Sequence, residues 1–277
     1  MIKQAIIPLA GLGTRLLPLT SVIPKELLPI NGRAGIEYIL DECIEAGIKE
    51  FIFVISNKKK IIKKYFFNDK FFNKIIKKKS KDKRLKSEFA KIKKYKKMIK
   101  FVYQNKPKGT GDALLKCEKL VKGNYFLFLL PDDLIIKKNC SREMIRLHKK
   151  YNSSIIASKK VLKKDVSRWG IFKIKRFKKN NFHIKDVVEK PSIKKAPSNY
   201  AVIGRYILPK NLFQILRKQK PGQGGEIHIT DAIRKLIKDR YKFMGHIFSG
   251  RYIDCGTMNG YIKSSLEISK LKLWKFL

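Results

Sequence analysis

Short apolar runs and segments of helical period alternate along this chain. Apolar side chains dominate residues 4–10, 51–55 and 125–130, as expected of buried strands. Between the first two runs, apolar residues recur every three to four positions over 35–46, which predicts an amphipathic helix that ends at Gly47. Alternation of this kind predicts βαβ units and parallel strand pairing.

The rest of the chain extends the alternation and then changes it. Further helices are predicted at 111–120, 142–150, 212–217 and 230–239, and from 258 onward. Further strands are predicted at 101–104, 154–157, 170–177, 182–188, 200–208 and 242–248. Since several of the later strands follow one another directly, they indicate an antiparallel portion. The pattern predicts an α/β fold with a Rossmann-like mixed, largely parallel sheet flanked by helices and small antiparallel additions.

The charge of the chain is strongly positive. Among 277 residues there are 65 Lys and Arg against 22 Asp and Glu, a formal net charge of +43. Residues 57–100 form a basic block with apolar residues at helical spacing, so we predict a helical insertion in a single domain over 1–277 that ends in a C-terminal helix, 256–277. A basic surface is typical of nucleic-acid binding. The lysines lie on every predicted helix face, however, so we favour compositional drift and expect no specific nucleic-acid partner.

Cysteine spacing and apolar run lengths bear on the cellular setting. Cys43, Cys117, Cys140 and Cys255 lie far apart without metal-binding spacing, so we expect reduced thiols. The longest apolar stretch, 125–130, is far shorter than the roughly 20 residues that span a bilayer. The first strand begins at once, without a signal-peptide pattern. We therefore predict a cytoplasmic protein that does not bind membranes.

A glycine loop follows the first predicted strand. The stretch AGLGTR at 10–15 stands where backbone N–H groups can approach a phosphate. A dinucleotide-binding fingerprint would need a third glycine where Leu16 stands, and the Gly-x4-Gly-Lys-Ser/Thr phosphate loop is absent. The loop therefore belongs to neither of these common nucleotide-binding motifs.

The residue types around this loop nevertheless favour a nucleoside triphosphate. Small residues that let the backbone approach phosphate oxygens are Ala10, Gly11 and Gly13. Thr14 can donate a hydrogen bond, Arg15 offers a bidentate fork, and Lys25 adds a point charge. The structural alternative is a tight turn beside a solvated arginine.

With these residues in view, "AGLGTRLLP…IPKELLPI" resembles the signature of the sugar-phosphate nucleotidylyltransferases, in the form found in their uridylyl-transferring members. The resemblance extends over nearly the whole chain. It implies a nucleotidyltransferase fold, Mg²⁺ as cofactor, and a homodimer or homotetramer. It also implies transfer of a uridylyl group from UTP to glucose 1-phosphate, with release of pyrophosphate.

Two alternatives remain at this point. The nearer one is the same chemistry with another nucleotide, such as dTTP, or with another sugar 1-phosphate. The more distant one is a basic nucleic-acid-binding protein without enzymatic activity. A panel of nucleotides and sugar phosphates would distinguish them.

The resemblance also implies roles for individual residues. The side chains that neutralise the reacting phosphates are Arg15, Lys25 and Lys190. The nucleotide-binding residues are Ala10, Gly11, Gly13, Thr14, Gln104 and Gly109. The sugar-binding residues are Gly170, Glu189, Val202, Gly204 and Glu226. The Mg²⁺ ligands are Asp132 and Asp254.

Several of these roles agree with the chemistry of the residues. The amide of Gln104 offers a donor and an acceptor to a pyrimidine edge. Asp132 and Asp133 follow a buried strand, where ligands bind in open α/β sheets. Since consecutive side chains point in different directions, we expect at most one of the two carboxylates to face the site. Asp112 departs from the family, in which a histidine is expected.

Overall fold

Strands and helices alternate through the computed structural model, which describes residues 2–79 and 81–270. The strands are β1 (Gln4–Pro8), β2 (Pro29–Ile30), β3 (Arg33–Ala34), β4 (Glu50–Ile55), β5 (Ile99–Tyr103), β6 (Tyr125–Leu129), β7 (Asp133–Ile136), β8 (Ser154–Lys160), β9 (Gly170–Lys178), β10 (Asn181–Glu189), β11 (Tyr200–Pro209), β12 (Phe243–Ile247) and β13 (Arg251–Asp254). The helices are α1 (Gly35–Glu45), α2 (Lys60–Phe67), α3 (Asp69–Lys78), α4 (Lys83–Met98), α5 (Thr110–Leu115), α6 (Cys140–Tyr151), α7 (Leu212–Lys218), α8 (Ile229–Lys238) and α9 (Met258–Lys270). Short 3₁₀ turns connect several of them.

A nine-stranded sheet in the order β5-β4-β1-β6-β11-β8-β12-β10-β9 forms the centre of the described chain. The first four strands are mutually parallel. β11 runs antiparallel to both of its neighbours, β12 is parallel to β8, and β10 and β9 form an antiparallel hairpin. Because β9 also pairs with β11 at Ala201 and Ile171, the far end of the sheet curls back on itself.

Alternating side chains of the strands supply two hydrophobic cores, one on each face of the sheet. On β1, Ala5 and Ile7 join one core while Ile6 joins the other. The first core packs beneath α1, α2, α4 and α6, and the second beneath α5, α7 and α8. A sheet covered on both faces explains why its central strands are apolar runs rather than alternating ones.

Side-chain caps define two of the helix starts. The Asp82 carboxylate accepts a hydrogen bond from the Leu85 N–H (2.9 Å) at the start of α4, and Asn139 Oδ1 accepts one from the Arg142 N–H (2.8 Å) at the start of α6. Each cap satisfies one of the unpaired N–H groups of a first helical turn.

The predicted α/β class with a mixed, helix-flanked sheet is confirmed. The antiparallel portion is larger than the sequence indicated, since five of the nine strands lie beyond the parallel block. The basic block carries the predicted helices as α2, α3 and α4. The predicted C-terminal helix is present as α9, and the remainder of that prediction, residues 271–277, lies outside the described residues.

One element was missed by the sequence reasoning and matters for function. β7 and β13 form a separate antiparallel pair, with Asp133 opposite Asp254. Each strand is only four residues long, so neither shows a clear periodic signal. Their pairing joins chain segments that are about 120 residues apart.

The four cysteines are unpaired and buried, as predicted for reduced thiols. Burial raises the pKa of Cys43 well above its ordinary value, so this thiol is chemically inert. Within residues 2–79 and 81–270, no helix combines the length and the apolar character needed to cross a membrane.

Candidate active site

A cavity of about 710 Å³ lies against the loops that follow β1 and β6. Its volume is in the range of small-molecule sites, which is about 300–1,000 Å³. Eight residues predicted from the sequence line it: Arg15, Asp132, Gly170, Glu189, Lys190, Val202, Glu226 and Asp254. The fold therefore brings together residues from widely separated motifs.

Two cations of the first loops meet one carboxylate at this cavity. Lys25 Nζ lies 2.8 Å and Arg15 Nη2 lies 3.2 Å from Asp132 Oδ2. Burial opposes ionisation of Asp132, but the charges of Lys25 and Arg15 outweigh burial and hold its pKa below the usual range. Asp132 likewise outweighs the burial of Lys25 and raises the pKa of that ammonium. Asp132 and Lys25 are therefore both charged at neutral pH.

The β7–β13 pair brings Asp254 to the same place. The Cys255 N–H donates to the Asp132 carbonyl (2.8 Å), which holds the two aspartates side by side. A methyl group placed on Gly256 would lie 2.5 Å from Arg15 Nη2, 2.7 Å from Asp132 Oδ2 and 3.0 Å from Asp254 Oδ1, so the guanidinium and both carboxylates border one small space. Among the described residues no cluster of three or more His, Cys, Asp or Glu suits a metal ion, so this is a two-carboxylate arrangement.

Asp133 is also among the residues that line the cavity, although its carboxylate is held by hydrogen bonds from the framework. The prediction that at most one of the two aspartates faces the site is therefore not confirmed. Asp133 Oδ2 accepts a hydrogen bond from the Gly204 N–H (2.8 Å) and its Oδ1 accepts one from the Tyr252 hydroxyl (2.7 Å). Burial and the adjacent charge of Asp132 raise the pKa of Asp133 to about 6. Gly204, predicted to line the sugar pocket, leaves room for this carboxylate, because a side chain there would collide with Asp133 and Leu130.

A second polar group closes the other side of the cavity. Glu189, at the end of β10, accepts a hydrogen bond from the Thr230 hydroxyl (2.7 Å). Lys190 Nζ lies 4.0 Å from Glu189 Oε1, and its side chain is 53% exposed. The Lys190 backbone is in the left-handed region (φ 41°), and its N–H donates to the Trp169 carbonyl (3.0 Å). This turn leaves the ammonium free to meet an anion.

Gly170 is packed closely into the same wall. A methyl group there would lie 3.3 Å from Glu189 Oε2 and 3.2 Å from Val202 Cγ2. Glycine therefore lets the backbone lie directly against the Glu189 carboxylate.

Gln104 and Gly109 are not among the residues that line the cavity, but Thr110, next to Gly109 in the chain, is. The buried Gln104 donates through Nε2 to the Gly109 carbonyl (3.2 Å) and to Asp112 Oδ2 (2.7 Å). Gly109 has φ 97°, and a side chain there would lie 2.6 Å from the Ile227 carbonyl. The predicted nucleobase pair is thus held as one unit, and Asp112 is part of it.

The glycine loop itself lies at the rim of the cavity. Ala10 is buried, whereas Gly11 and Thr14 are exposed, and nothing lies near the space where a Gly11 side chain would project. Gly13 has φ 70°, and its carbonyl accepts a hydrogen bond from the Thr20 hydroxyl (2.8 Å). Of these loop residues only Arg15 is among the residues that line the cavity.

Several cavity residues were given no role from the sequence. They are Thr110, Leu130, Arg168, Trp169, Tyr206, His228, Ile229, Thr230 and Thr257. Arg168 Nη2 lies 3.6 Å from Asp254 Oδ2, so a second arginine reaches the paired aspartates. An arginine in a chain this rich in cations gives no distinguishing signal in sequence, whereas Thr230 was predicted only to start a helix.

A glycine loop, convergent cations and paired aspartates at the carboxyl ends of parallel strands form a site suited to a phosphate-bearing ligand. The profile of the family described as "Nucleotidyl transferase" matches residues 4–270, and the chain belongs to this family.

Individual relatives are similar over nearly the full length. UTP–glucose-1-phosphate uridylyltransferase of Bacillus subtilis is 35% identical over 271 residues, covering 97% of this chain and 91% of that protein. A solved UDP-glucose pyrophosphorylase complexed with UDP-glucose is 37% identical, with a TM-score of 0.87, covering 98% of this chain and all of that one. A UTP-bound UGPase from Acinetobacter baumannii is 32% identical, with a TM-score of 0.87, covering 99% of this chain and 95% of that one.

Proposed function

We propose that this protein transfers the uridylyl group of UTP to α-D-glucose 1-phosphate, giving UDP-glucose and pyrophosphate. The observation that carries the proposal is one cavity with two chemically different sides. Arg15 and Asp132 line one side, with Lys25 behind Asp132 at 2.8 Å, and Glu189 and Lys190 line the other. Similarity to the uridylyltransferase of B. subtilis and to the UDP-glucose complex supports this choice of substrates.

Arg15 and Lys25 would bind the triphosphate. In this structure both cations form ion pairs with the Asp132 carboxylate. The arginine side chain is 56% exposed, so its guanidinium can turn to phosphate oxygens at little cost. Lys25 is mostly buried and stays charged because of its carboxylate neighbours. Together they would neutralise the β- and γ-phosphates that leave as pyrophosphate.

Members of this family generally use a divalent metal ion, and we propose Mg²⁺ at Asp132 and Asp254. The donor set fits, since Mg²⁺ is commonly held by one or two carboxylates together with substrate phosphates. Gly256 fits as well, because a side chain there would crowd both carboxylates and the Arg15 guanidinium, whose exposed side chain can move to phosphate oxygens. When bound, the ion would offset negative charge on the phosphate oxygens of both reactants.

Glu189 and Lys190 would position the sugar phosphate. The Glu189 carboxylate can accept hydrogen bonds from sugar hydroxyls, with its orientation fixed by Thr230. The half-exposed Lys190 ammonium would hold the phosphate whose oxygen attacks the α-phosphorus of UTP. Glu226 and Val202 line the same part of the cavity and would complete the sugar pocket.

The chemistry needs little beyond positioning and charge neutralisation. A phosphate monoester with a second pKa of about 6 already carries a nucleophilic oxygen at neutral pH. We therefore assign no general base and no covalent enzyme intermediate. Holding two anionic reactants in line supplies most of the rate enhancement.

An assay of pyrophosphate release tests the proposal. Purified protein with Mg²⁺ is offered UTP, dTTP, CTP or ATP together with glucose 1-phosphate or another hexose 1-phosphate. We expect the highest kcat/KM for UTP with glucose 1-phosphate. A higher value for another pair would favour the same chemistry with different substrates. No release with any pair, together with tight, salt-sensitive RNA binding, would favour the nucleic-acid alternative.

Two further predictions from the sequence are carried forward as proposals. We propose a homo-oligomer, a dimer or a tetramer, and size-exclusion chromatography with light scattering on the purified chain would measure it. We also propose a cytoplasmic location, which fractionation of the source cells would test.

A further inference from the structure

The orientation of the Gln104 side-chain amide is fixed by two acceptors. Its Nε2 lies 2.7 Å from Asp112 Oδ2 and 3.2 Å from the Gly109 carbonyl oxygen. A carboxylate oxygen and a backbone carbonyl oxygen both accept hydrogen bonds and donate none. Only the NH₂ end of the Gln104 amide can therefore bond to both. The reversed amide would place Oε1 against two acceptor oxygens. These contacts therefore fix which end of the Gln104 amide is Nε2 and which is Oε1, an assignment that is often ambiguous.

The opposite end of the amide is left available. No donor among the described residues reaches Gln104 Oε1, and within the described residues the one buried side-chain polar atom without a partner is Gln219 Oε1. Gln104 Oε1 therefore retains contact with solvent although the side chain as a whole is 5% exposed. The Gly109 N–H likewise meets no acceptor in the part of the chain that the structure describes.

We infer that Asp112 is a positioning residue that makes Gln104 present a carbonyl oxygen, rather than an NH₂ group, to the nucleobase. The inference rests on the proposed function and on the role in nucleotide binding that the resemblance implies for Gln104 and Gly109. A hydrogen-bond acceptor of Gln104 and the N–H donor of the neighbouring Gly109, both without partners among the described residues, match uracil, whose N3–H lies beside a carbonyl oxygen. Cytosine has a lone pair at N3, which would face Gln104 Oε1 without a proton between them.

The inference also accounts for the departure of Asp112 from the family pattern. A carboxylate accepts hydrogen bonds and donates none, so it can hold only the NH₂ end of the neighbouring amide. Lys116 Nζ lies 3.8 Å from Asp112 Oδ1 and is half-exposed, so it balances the charge without competing for Oδ2. Discrimination against cytosine would thus be set by a residue that never touches the base.

The ratio of UTP to CTP binding affinity tests the inference. Isothermal titration calorimetry with Mg²⁺ gives the two Kd values for the wild type and for D112A, D112N and K116A. We expect the wild type to favour UTP, and D112A to lose about tenfold or more of that ratio through weaker UTP and stronger CTP binding. D112N should keep the ratio within about threefold, because the asparagine oxygen accepts the same hydrogen bond. K116A is the matched control and should leave the ratio unchanged.

Each result supports or overturns the inference. An unchanged ratio in D112A, equal binding of UTP and CTP by the wild type, or a loss in D112N as large as in D112A would overturn it. If D112A does not fold, D112L, which fills a similar volume without an acceptor, takes its place. Absence of UDP-glucose synthesis by the wild type would contradict the proposed reaction, whereas the binding ratios would still decide the role of Asp112.

Discussion

Two clusters of carboxylates and cations in this protein share their chemistry and differ in how completely they are closed. In the cavity, Asp132 pairs with Lys25 and with an arginine that is 56% exposed. In the interior, Glu42 pairs with Arg205, whose side chain is fully buried. Three hydrogen bonds of 2.8–3.2 Å join that guanidinium to Glu42.

The interior cluster has little left to offer a ligand. Arg205 also donates to the Gly204 and Leu130 carbonyls, and Glu42 accepts from the Ser141 hydroxyl and N–H. In the cavity cluster, by contrast, Arg15 has most of its donors free, and Asp132 shares one oxygen between two cations. The same kind of ion pair is therefore structural when every hydrogen-bonding position is used and exchangeable when positions remain open.

The largest effect should come from opening the closed cluster. Arg205→Met would leave the Glu42 carboxylate buried without its cation, which costs about 3–5 kcal/mol in the free energy of unfolding. Urea unfolding of the purified variant measures this loss. The double variant E42L/R205M should recover most of it, because an apolar pair needs no hydrogen bonds. A loss below about 1 kcal/mol for R205M would show that the cluster is not structural.

In the cavity cluster, loss of the carboxylate charge should mainly lower the catalytic activity. Asp132→Asn removes the charge that we assign to Mg²⁺ binding, so kcat/KM should fall by about a hundredfold or more. The free energy of unfolding should fall by about 1–3 kcal/mol, less than in R205M, because the mostly buried Lys25 ammonium loses one carboxylate partner but keeps Glu26 as a second. Asp239→Asn, at an exposed carboxylate beyond α8, is the control. Normal turnover by D132N would contradict the metal assignment.

A smaller loss is expected at the sugar phosphate. Lys190→Ala should lower kcat/KM for glucose 1-phosphate by about tenfold, because an ammonium that contacts the reacting phosphate is lost. Lys194→Ala removes the same charge from a nearby exposed lysine and corrects for the long-range field of this basic chain. If K190A stays within about threefold of K194A, Lys190 does not hold the nucleophile.

The smallest expected effect is on the pH dependence of stability, and it concerns a partly buried carboxylate outside both clusters. Glu143 accepts hydrogen bonds from Ser249 and lies 3.0 Å from His246 Nε2. Burial acts to raise its pKa, but these hydrogen bonds outweigh burial and hold the pKa of Glu143 below the ordinary value of 4.5. A depressed carboxyl pKa stabilises the fold above the unfolded pKa, and that stability is lost as pH falls below it.

Thermal unfolding of wild type and Glu143→Gln at several pH values measures this contribution. The Tm of E143Q should be lower than that of the wild type at pH 7. The difference should stay constant down to about pH 5 and shrink at lower pH. A difference that grows on acidification would show that Glu143 is not stabilised as the anion.

Much of the fold could be predicted from local pattern. The strands at β1, β4 and β6 and the amphipathic helix α1 were predicted within a few residues, because a buried strand or a half-buried helix imposes its period on the sequence. The extent of antiparallel pairing was underestimated. Strand neighbours are chosen by long-range packing, which no local period records.

Some features of the candidate site could likewise be predicted from the local sequence, whereas others depend on the fold. Residue types and order along the chain singled out the glycine loop with Arg15, the lysine at 25, and Asp132 at the end of a buried strand. That information is local, since a phosphate-binding loop needs small residues and cations at fixed spacing. Residue types and their spacing thus indicated the class of chemistry and most of the groups that we propose for it.

Only the tertiary structure decided how those groups meet. The pairing of β7 with β13 brings Asp254 beside Asp132, and it turns Asp133 toward Gly204 and Tyr252. The contact of Asp112 with Gln104 likewise depends on how a loop closes over a helix start. Direction and distance between side chains are set by the packing of distant segments, and a linear sequence carries neither.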